Sequence, residues 1–281
     1  MADKIVDKIV EDRAMLAGCL LIVLFVVMAI FSPWLSPYDP FAQNISLRLS
    51  PPGAKHWLGT DGYGRDILSR IIWGSRISIT IGIFAVGIGA ALGIMAGLIS
   101  GFFGGAIDNV IMRVVDTLLV LPTILLALVI VAMLGPSIFN VMIAVGISNA
   151  PRFARIIRAE VLSVKKMDYV AAAFALGASH KRLILRHILP NTFASLLVLS
   201  TLRVAQAITT EASLSFLGLG AQPPTPTWGS MIADGRVFLR TSPWIPIFPG
   251  IMIMLIVMGF NLFGDGLRDI LDPKLRGSKG K

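Results

Sequence analysis

Long apolar segments recur along the chain and are separated by stretches that contain most of its charged residues and prolines. A helix needs about 20 apolar residues to cross the ~30 Å hydrocarbon core of a bilayer. Five segments come close to that length or exceed it, and a sixth has 13 residues. They cover residues 14–31, 77–103, 117–135, 138–150, 193–219 and 244–263. The pattern predicts an all-α, polytopic membrane protein with six transmembrane helices.

Two of the six segments have features that bear on how they cross. The third contains Pro122, which predicts a kink. The fourth is short and typical of a buried or re-entrant piece, unless its helix continues past Pro151 and the side chains of Arg152 and Arg155 extend to the membrane surface. If the fourth segment does not cross, the C-terminal half of the chain has the opposite orientation.

The segments and loops divide the chain into four regions. Residues 1–32 are predicted to form a cytoplasmic N-terminus and the first transmembrane helix. Residues 33–76 are predicted to form an extracytoplasmic loop, because its opening prolines exclude a continuous helix. Residues 77–266 are predicted to form the core transmembrane domain, and residues 267–281 a basic cytoplasmic tail.

The composition excludes several classes of protein. Hydrophobic residues make up 55% of the 281 residues, charged residues make up 15%, and the mean hydropathy is +0.80. This is more apolar surface than the cores of a soluble enzyme bury, and a disordered chain would be far more polar. Cys19 is the single cysteine, so an internal disulfide is excluded. The first apolar segment lacks a small-residue cleavage pattern, so we predict a retained span rather than a signal peptide.

The net charge of +9 is compatible with nucleic-acid binding or with basic residues at the cytoplasmic ends of membrane helices. The placement of the basic residues favours the second interpretation. With the N-terminus inside, the inner segments contain 17 of the 25 Lys and Arg residues, the outer segments contain seven, and Arg203 lies in a span. We therefore predict cytoplasmic termini, contact with a lipid bilayer, and no nucleic-acid partner.

Motifs for nucleotide or metal chemistry are missing from the sequence. It has no G-x-x-x-x-G-K-[ST] phosphate loop, so the chain is not expected to bind or hydrolyse ATP. His56, His180 and His187 lie in predicted loops, without an H-E-x-x-H motif or cysteine partners. No catalytic residue, metal site or cofactor is therefore expected, and an intramembrane enzyme is disfavoured.

Glycines recur every fourth residue in the second apolar segment. They are Gly89, Gly93, Gly97 and Gly101. This spacing places them on one helix face, where another backbone can approach closely. Because membrane helices use small residues chiefly for packing, we interpret the stripe as a helix contact rather than a solute site.

Arg203 and Glu211 are charged residues inside the fifth apolar segment. Eight residues turn a helix by about 800°, so the two side chains lie on neighbouring faces, and exposure of either to lipid is excluded. Two interpretations remain open. They line or gate a polar pathway for solute, or each is neutralised by a neighbouring helix or partner subunit, with Glu211 near the outer surface.

The inner segment of residues 152–191 predicts two short helices joined at Gly177. Asp168 is expected to cap the first helix, and Pro190 is expected to close the second. The second helix has a basic side and an apolar side. Such a projection is either a solvated loop, whose basic residues reflect only the excess of basic residues on the cytoplasmic side, or a surface that docks into a groove of another protein.

Several motifs resemble those of one family. Residues 171–177 (AAAFALG), followed by ILPN at 188–191, resemble the EAA loop by which membrane subunits of binding-protein-dependent ABC importers contact their ATPases. The family motif usually opens with glutamate, and Ala171 takes that place here. Three further motifs resemble the C-type permeases of dipeptide, oligopeptide and related importers. They are HWLGTD at 56–61 with GRD at 64–66, LSFLGLGAQPPTP at 214–226, and FNLFGDGLRD at 260–269.

The resemblance implies a type I ABC importer transmembrane domain. The implied partners are a second homologous permease subunit, two cytoplasmic ATPase subunits and an extracytoplasmic solute-binding protein. It also implies the bacterial-type cytoplasmic (inner) membrane, and short peptides as solutes, with glutathione, nickel chelates or opines as alternatives. The implied ATPase-coupling residues are Ala171, Ala172, Ala173, Gly177, Ile188, Leu189 and Pro190.

Alternatives remain at the level of function and of one outer cluster. An ATP-independent secondary transporter would need ion sites near the midplane, often in paired repeats, and the sequence has one charged pair and no evident repeat.

The outer loop contains a charged cluster, Asp61, Arg65 and Asp66. The cluster either contacts the binding protein or caps the helix that enters the second span.

Overall fold

The computed structural model describes residues 12–271, and the regular structure in that range is helical, with no β-strand. The helices of eight or more residues are α1 (Arg13–Ile30), α2 (Ile67–Phe103), α3 (Gly105–Val120), α4 (Thr123–Leu134), α5 (Ile138–Val164), α6 (Asp168–Ala175), α7 (Leu189–Phe216), α8 (Trp228–Gly235) and α9 (Trp244–Leu271). The predicted all-α class is confirmed. The two ends of the predicted terminal regions, residues 1–11 and 272–281, lie outside the described residues.

Four helices are long and apolar enough to cross a membrane: α1, α2, the helix His180–Phe216 that includes α7, and α9. Helices α3 and α4 form a fifth candidate span, bent by 96°. The predicted count of six is therefore not fully reproduced, because α5 is not among these candidates. Its second half contains three arginines and Glu160, which lower its apolar character, although its 27 residues extend about 40 Å.

Helix α2 begins at Ile67, ten residues before the predicted second span. The cause is a helix cap: Asp66 Oδ2 accepts hydrogen bonds from the backbone N–H of Ser69 at 2.8 Å and from its hydroxyl at 2.7 Å. The first turns contain Arg70, which a purely apolar criterion places outside a span. Arg70 is buried and donates to the carbonyl of Pro40 at 3.0 Å.

The predicted third span, residues 117–135, is not one helix. It divides between α3 and α4 at Leu121 and Pro122, and the two helices meet at 96°. Leu121 adopts an extended conformation, which is favoured immediately before proline, and the ring of Pro122 cannot donate an N–H to continue α3. The proline predicts the position of this break but not its angle.

Helix α5 continues through Pro151 to Val164, so residues 152–164 are helical and not part of a loop. Two ion pairs join this half of α5 to α3. The Arg158 guanidinium donates two hydrogen bonds of 2.6 Å to Asp108, and Arg155 lies 2.5 Å from Asp116. The inner projection therefore begins after Val164.

Pro190 does not close a short helix, contrary to the sequence-based prediction. A helical turn at His180–Arg182 continues through a π-helical stretch, Leu183–Ile188, directly into α7. In that stretch the backbone N–H of Leu189 donates to the carbonyl of Ile184, five residues earlier. The wider π turn accommodates the proline ring and its missing N–H, which would otherwise break the helix.

The core of the bundle is the contact between α2 and α5, where the glycine stripe lies. A Cβ atom added to Gly89 would lie 2.8 Å from the carbonyl oxygen of Gly146, and one added to Gly97 would lie 2.6 Å from that of Ala154. Gly93 and Gly101 face the same helix and are also buried. The two backbones therefore approach as closely as glycine permits.

Helix α1 packs against α9 through a second close approach. A Cβ added to Gly18 would lie 2.8 Å from the carbonyl oxygen of Gly259, and Met15 is buried against Gly266. The first span is thus attached to the outside of the bundle by the last one.

Candidate functional site

The segment after α5 forms a compact projection built around Gly177. Helix α6 ends there in a Schellman motif, in which Ala178 N–H donates to Ala173 O at 3.1 Å and Gly177 N–H donates to Phe174 O at 2.9 Å. Gly177 has φ +81°, a left-handed conformation that favours glycine. Asp168 occupies the first turn of α6 and does not cap it, because the N-cap residue is Met167.

The outer face of α6 is an exposed apolar surface. We call Ala171, Ala172, Phe174, Ala175 and Leu176 the coupling surface. Leu176 is 89% exposed and Phe174 is 60% exposed, which is unusual for large apolar side chains. Five basic residues and one acidic residue surround this surface along the chain. They are Lys165, Lys166, Lys181, Arg182, Arg186 and Asp168.

The seven predicted coupling residues separate into surface and anchor positions. Ala171 and Ala172 belong to the coupling surface, and Gly177 and Pro190 are also exposed. Ala173 and Leu189 are half-buried, and Ile188 is fully buried in the core. The side chains of Val170, Leu183 and Ile188 are buried in the same core cluster and attach the projection to the bundle. Leu183 and Ile188 belong to the apolar side predicted for the second helix, whereas the contribution of Val170 was not predicted.

A cluster of aromatic residues joins the projection to the end of α2. The His180 ring lies 5.4 Å from that of Phe102 and stacks parallel to that of Phe174 at 6.4 Å, measured between centroids. Lys165 Nζ donates to the Phe102 carbonyl at 2.5 Å and lies 5.3 Å above its ring. These groups line a cavity of about 430 Å³. More than sixty residues separate Lys165 from Phe102, so no local signal predicts this contact.

Arg203 and Glu211 are not paired with each other, and neither has an ion-pair partner within residues 12–271. Arg203 is half-buried and donates to Gln206 Oε1, while its Nε atom is buried without a hydrogen-bond partner. Glu211 is fully buried and accepts a hydrogen bond from the Ser215 hydroxyl at 2.7 Å. The other carboxylate oxygen of Glu211 has no partner.

The outer cluster of Asp61, Arg65 and Asp66 is buried. Asp66 caps α2, and His56 Nδ1 lies 2.8 Å from its second oxygen. Asp61 accepts from the backbone N–H of Tyr63 at 2.8 Å and from Arg65 Nε at 2.6 Å. The capping interpretation is thus confirmed for Asp66, and Asp61 closes the turn before it. No group of three potential metal ligands occurs in the described chain.

Taken together, these features define a class of protein: a polytopic helical membrane protein with an exposed helix–glycine–helix projection and no nucleotide motif. Two family models match the chain. Residues 93–277 match that of the binding-protein-dependent transport system inner membrane component, and residues 5–52 match that of the N-terminal TM domain of oligopeptide transport permease C.

Proteins from several bacteria are similar over most of the chain. The dipeptide transport system permease protein DppC of Alkalihalophilus pseudofirmus is 46% identical over 95% of this chain and 88% of its own length. The probable D,D-dipeptide transport system permease protein DdpC of Escherichia coli K12 is 45% identical over 93% and 88%. The glutathione transport system permease protein GsiD of Escherichia coli O6:K15:H31 is 47% identical over 95% and 88%.

The fold also matches a solved structure, a crystal structure of an amino acid ABC transporter with histidines. The TM-score is 0.52 at 18% identity, over 75% of this chain and 94% of that one. This likeness concerns the fold, and it supports the predicted type I importer architecture.

The chain belongs to the family of binding-protein-dependent transport system inner membrane components. It is a membrane-spanning permease of the C-type group that the sequence motifs indicated, a transport subunit rather than an enzyme, and it works with other ABC subunits.

Proposed function

We propose that this chain is one of two homologous permease subunits that enclose the pathway of an ATP-driven importer. Two cytoplasmic ATPase subunits supply the energy, and an extracytoplasmic binding protein delivers the solute. The solute is a short peptide or a related small molecule. The names of three relatives at 45–47% identity support this solute class, since they are a dipeptide, a probable D,D-dipeptide and a glutathione transport system permease protein.

The observation that carries the proposal is the coupling surface. Large apolar side chains are exposed on a short helix that ends in a Schellman motif, while Val170, Leu183 and Ile188 attach the same segment to the core. An exposed apolar helix face with basic neighbours suits a groove with an apolar floor and an acidic rim. We assign that groove to an ATPase subunit.

The way the projection is attached supports a role as a lever. Lys165 donates a hydrogen bond to the backbone carbonyl of Phe102, at the C-terminal end of α2. The π stretch makes the segment from His180 onward continuous with α7. A displacement of α6 would therefore reach two long helices at once. Closure of the ATPases would move residues 166–190 as a nearly rigid unit. This movement would tilt the membrane-spanning helices, so that the solute cavity between the two permease subunits opens to the other side of the membrane.

The proposed orientation places both termini and the coupling surface in the cytoplasm. It rests on the excess of basic residues in the inner segments, 17 against seven. The basic side chains around the coupling surface belong to that excess. The membrane is the bacterial-type cytoplasmic (inner) membrane.

Transport by proteoliposomes tests this function. The complete transporter should take up dipeptide only when the ATPase subunits, ATP and the loaded binding protein are all present. Uptake should continue after the membrane is depolarised and should stop when ATP is removed. Uptake that follows an ion gradient without ATP would instead indicate a secondary transporter.

A further inference from the structure

We propose that Glu211 binds a proton and, as a neutral carboxylic acid, holds the C-terminal end of α7 against α2 and the segment that leads into α8. Glu211 is then a positioning residue for transport, because α7 continues at its other end into the coupling projection. That role rests on the proposed function, whereas the protonation of Glu211 does not. The coupling mechanism described above leaves this buried titratable group without a role.

Glu211 lies at a junction of three elements. A Cβ atom added to Gly82 of α2 would lie 2.7 Å from the side chain of Ile208 in α7. Gly229 of α8 packs so closely against α7 that an added Cβ would clash with the backbone of Ala212. Glu211 follows Ile208 by one turn and directly precedes Ala212, so it lies between these two contacts. Its side chain is fully buried.

Ser78 is the α2 residue at the level of this junction. It lies one turn after Gly74 and one turn before Gly82, on the same face of α2. A Cβ atom added to Gly74 would lie 3.6 Å from the Cα atom of Thr227, the residue that caps α8. The contacts of α2 with α7 and with the start of α8 therefore enclose Ser78, whose side chain is fully buried.

The hydrogen bonds of this junction are incomplete. Glu211 Oε1 accepts from the hydroxyl of Ser215, one turn further along α7, at 2.7 Å. The hydroxyl groups of Ser78 and Thr227 also lie near the carboxyl group. Within the described residues, Glu211 Oε2 and Ser78 Oγ are both buried without a hydrogen-bond partner. Buried polar atoms are normally paired, so these two oxygens mark the junction as a candidate binding site.

No positive charge neutralises Glu211. In the described part of the chain, no Lys, Arg or His nitrogen lies within 4.0 Å of its carboxylate oxygens. A partner subunit does not supply a cation either, because no part of the Glu211 side chain reaches the surface. The other charged side chains of α2, α7 and α8, none of which acts on Glu211, are Arg70, Arg76, Arg203 and Asp234.

The charge decides which state Glu211 adopts. A hydroxyl such as that of Ser78 donates to a carboxylate or accepts from a carboxylic acid, so the hydrogen bonds alone fit both states. A fully buried carboxylate without a cation is strongly disfavoured, and such a group becomes neutral instead. One proton on Oε2 removes the charge and provides a donor for Ser78 Oγ, while Ser215 still donates to Oε1. A metal ion is a poorer candidate, since no group of three potential metal ligands occurs among residues 12–271.

The neutral acid would fix one end of a helix whose other end belongs to the coupling projection. Glu211 lies five residues before the end of α7 at Phe216. The π stretch joins the beginning of α7 to the projection. With its C-terminal end held against α2, α7 would transmit a displacement of the projection to the opposite side of the subunit instead of absorbing it.

The test uses the complete transporter with its partner permease, ATPases and binding protein, reconstituted in proteoliposomes. Glu211→Gln has nearly the shape of the neutral acid and keeps a donor and an acceptor, whereas Glu211→Ala removes both. Ser213→Ala is the matched control, because its hydroxyl bonds only to the carbonyl of Thr209 in its own helix. Dipeptide uptake and ATP hydrolysis are measured for each variant.

We expect Glu211→Gln and Ser213→Ala to stay within about twofold of the wild type in uptake per ATP hydrolysed. Glu211→Ala should lower this ratio by about 5- to 100-fold, the range that corresponds to the loss of one buried hydrogen bond. If Glu211→Ala does not assemble, Ser78→Ala takes its place, since it removes the contact with α2 through a smaller change.

Infrared difference spectroscopy detects the proton directly. The spectrum of the wild-type transporter minus that of Glu211→Gln, recorded at neutral pH, should contain the carbonyl band of a protonated carboxylic acid. The corresponding difference for Ser213→Ala should lack this band. This readout does not depend on uptake, and a residue that only fills space would not produce it.

Three outcomes would overturn the proposal. A loss in Glu211→Gln as large as that in Glu211→Ala would show that the negative charge itself is needed. Carboxylate bands in place of the acid band would exclude the bound proton. An unchanged ratio of uptake to ATP hydrolysis in Glu211→Ala would exclude the positioning role. Absence of ATP-driven uptake by the wild-type transporter would instead contradict the proposed function, and the infrared spectrum would still decide the protonation of Glu211.

Discussion

Replacement of Gly93 by alanine tests the close packing of α2 against α5. The new Cβ atom would lie 2.6 Å from the carbonyl oxygen of Ala150 and 2.9 Å from the backbone nitrogen of Ala154. Both are backbone atoms, so no side-chain rotation relieves the contact. The helices have to separate, and packing around the fully buried side chains of Phe153 and Ile157 loosens.

The magnitude follows from two opposing effects. Alanine favours a helix over glycine by about 1 kcal/mol, and overpacking of a tight core costs about 1–3 kcal/mol. Gly87 provides the matched control, since it lies on the same helix and an added Cβ meets no atom within 4 Å. The propensity gain is common to both variants. The free energy of unfolding of Gly93→Ala should therefore be about 1–3 kcal/mol below that of Gly87→Ala.

The assay is unfolding of the purified subunit by SDS titration in mixed micelles, with helix content as the signal. Gly87→Ala should unfold at the same SDS fraction as the wild type or a higher one, and Gly93→Ala at a clearly lower fraction. Identical midpoints for the two variants would refute the close approach of the α2 and α5 backbones at Gly93.

Three further predictions concern the projection and the outer cap. Gly177→Val forces a β-branched residue to φ +81°, at a cost of at least about 1–2 kcal/mol but without a clash, so uptake per ATP hydrolysed should fall; an unchanged ratio would count against the lever. Lys165→Met removes the hydrogen bond to Phe102 and should likewise lower uptake more than ATP hydrolysis, and equal losses of both would contradict the linkage. Asp66→Ala should lower the free energy of unfolding by about 1 kcal/mol through loss of the bonds to Ser69, whereas Asp66→Asn, which keeps an acceptor, should lose less; equal losses would argue against a capping role.

Local features of the sequence predicted the positions of the apolar helices well. The length of an apolar run is a direct consequence of bilayer thickness, so α1, α2, α7 and α9 were expected. Helix α2 begins ten residues before the predicted span, because its first turns contain Arg70, which a purely apolar criterion excludes. In the folded protein Arg70 Nε lies 3.5 Å from Asp61 Oδ2, and the side chain also donates to the carbonyl of Pro40, thirty residues away.

Tertiary features were not predictable in the same way. Pro122 indicates a break, but the 96° angle depends on the surfaces against which α4 packs. Pro190 indicates a helix end, but the π stretch before it absorbs the proline and the helix continues.

The most direct test of the account is the accessibility of Leu176 from the two sides of the membrane. A Leu176→Cys variant in a Cys19→Ser background carries one thiol, on a side chain that is 89% exposed in the subunit. A membrane-impermeant maleimide should label it in inside-out vesicles stripped of ATPases, and added ATPase subunits should block the labelling. Labelling in right-side-out vesicles, or labelling that ATPase subunits do not reduce, would contradict the assignment of this surface as the contact through which ATP hydrolysis drives transport.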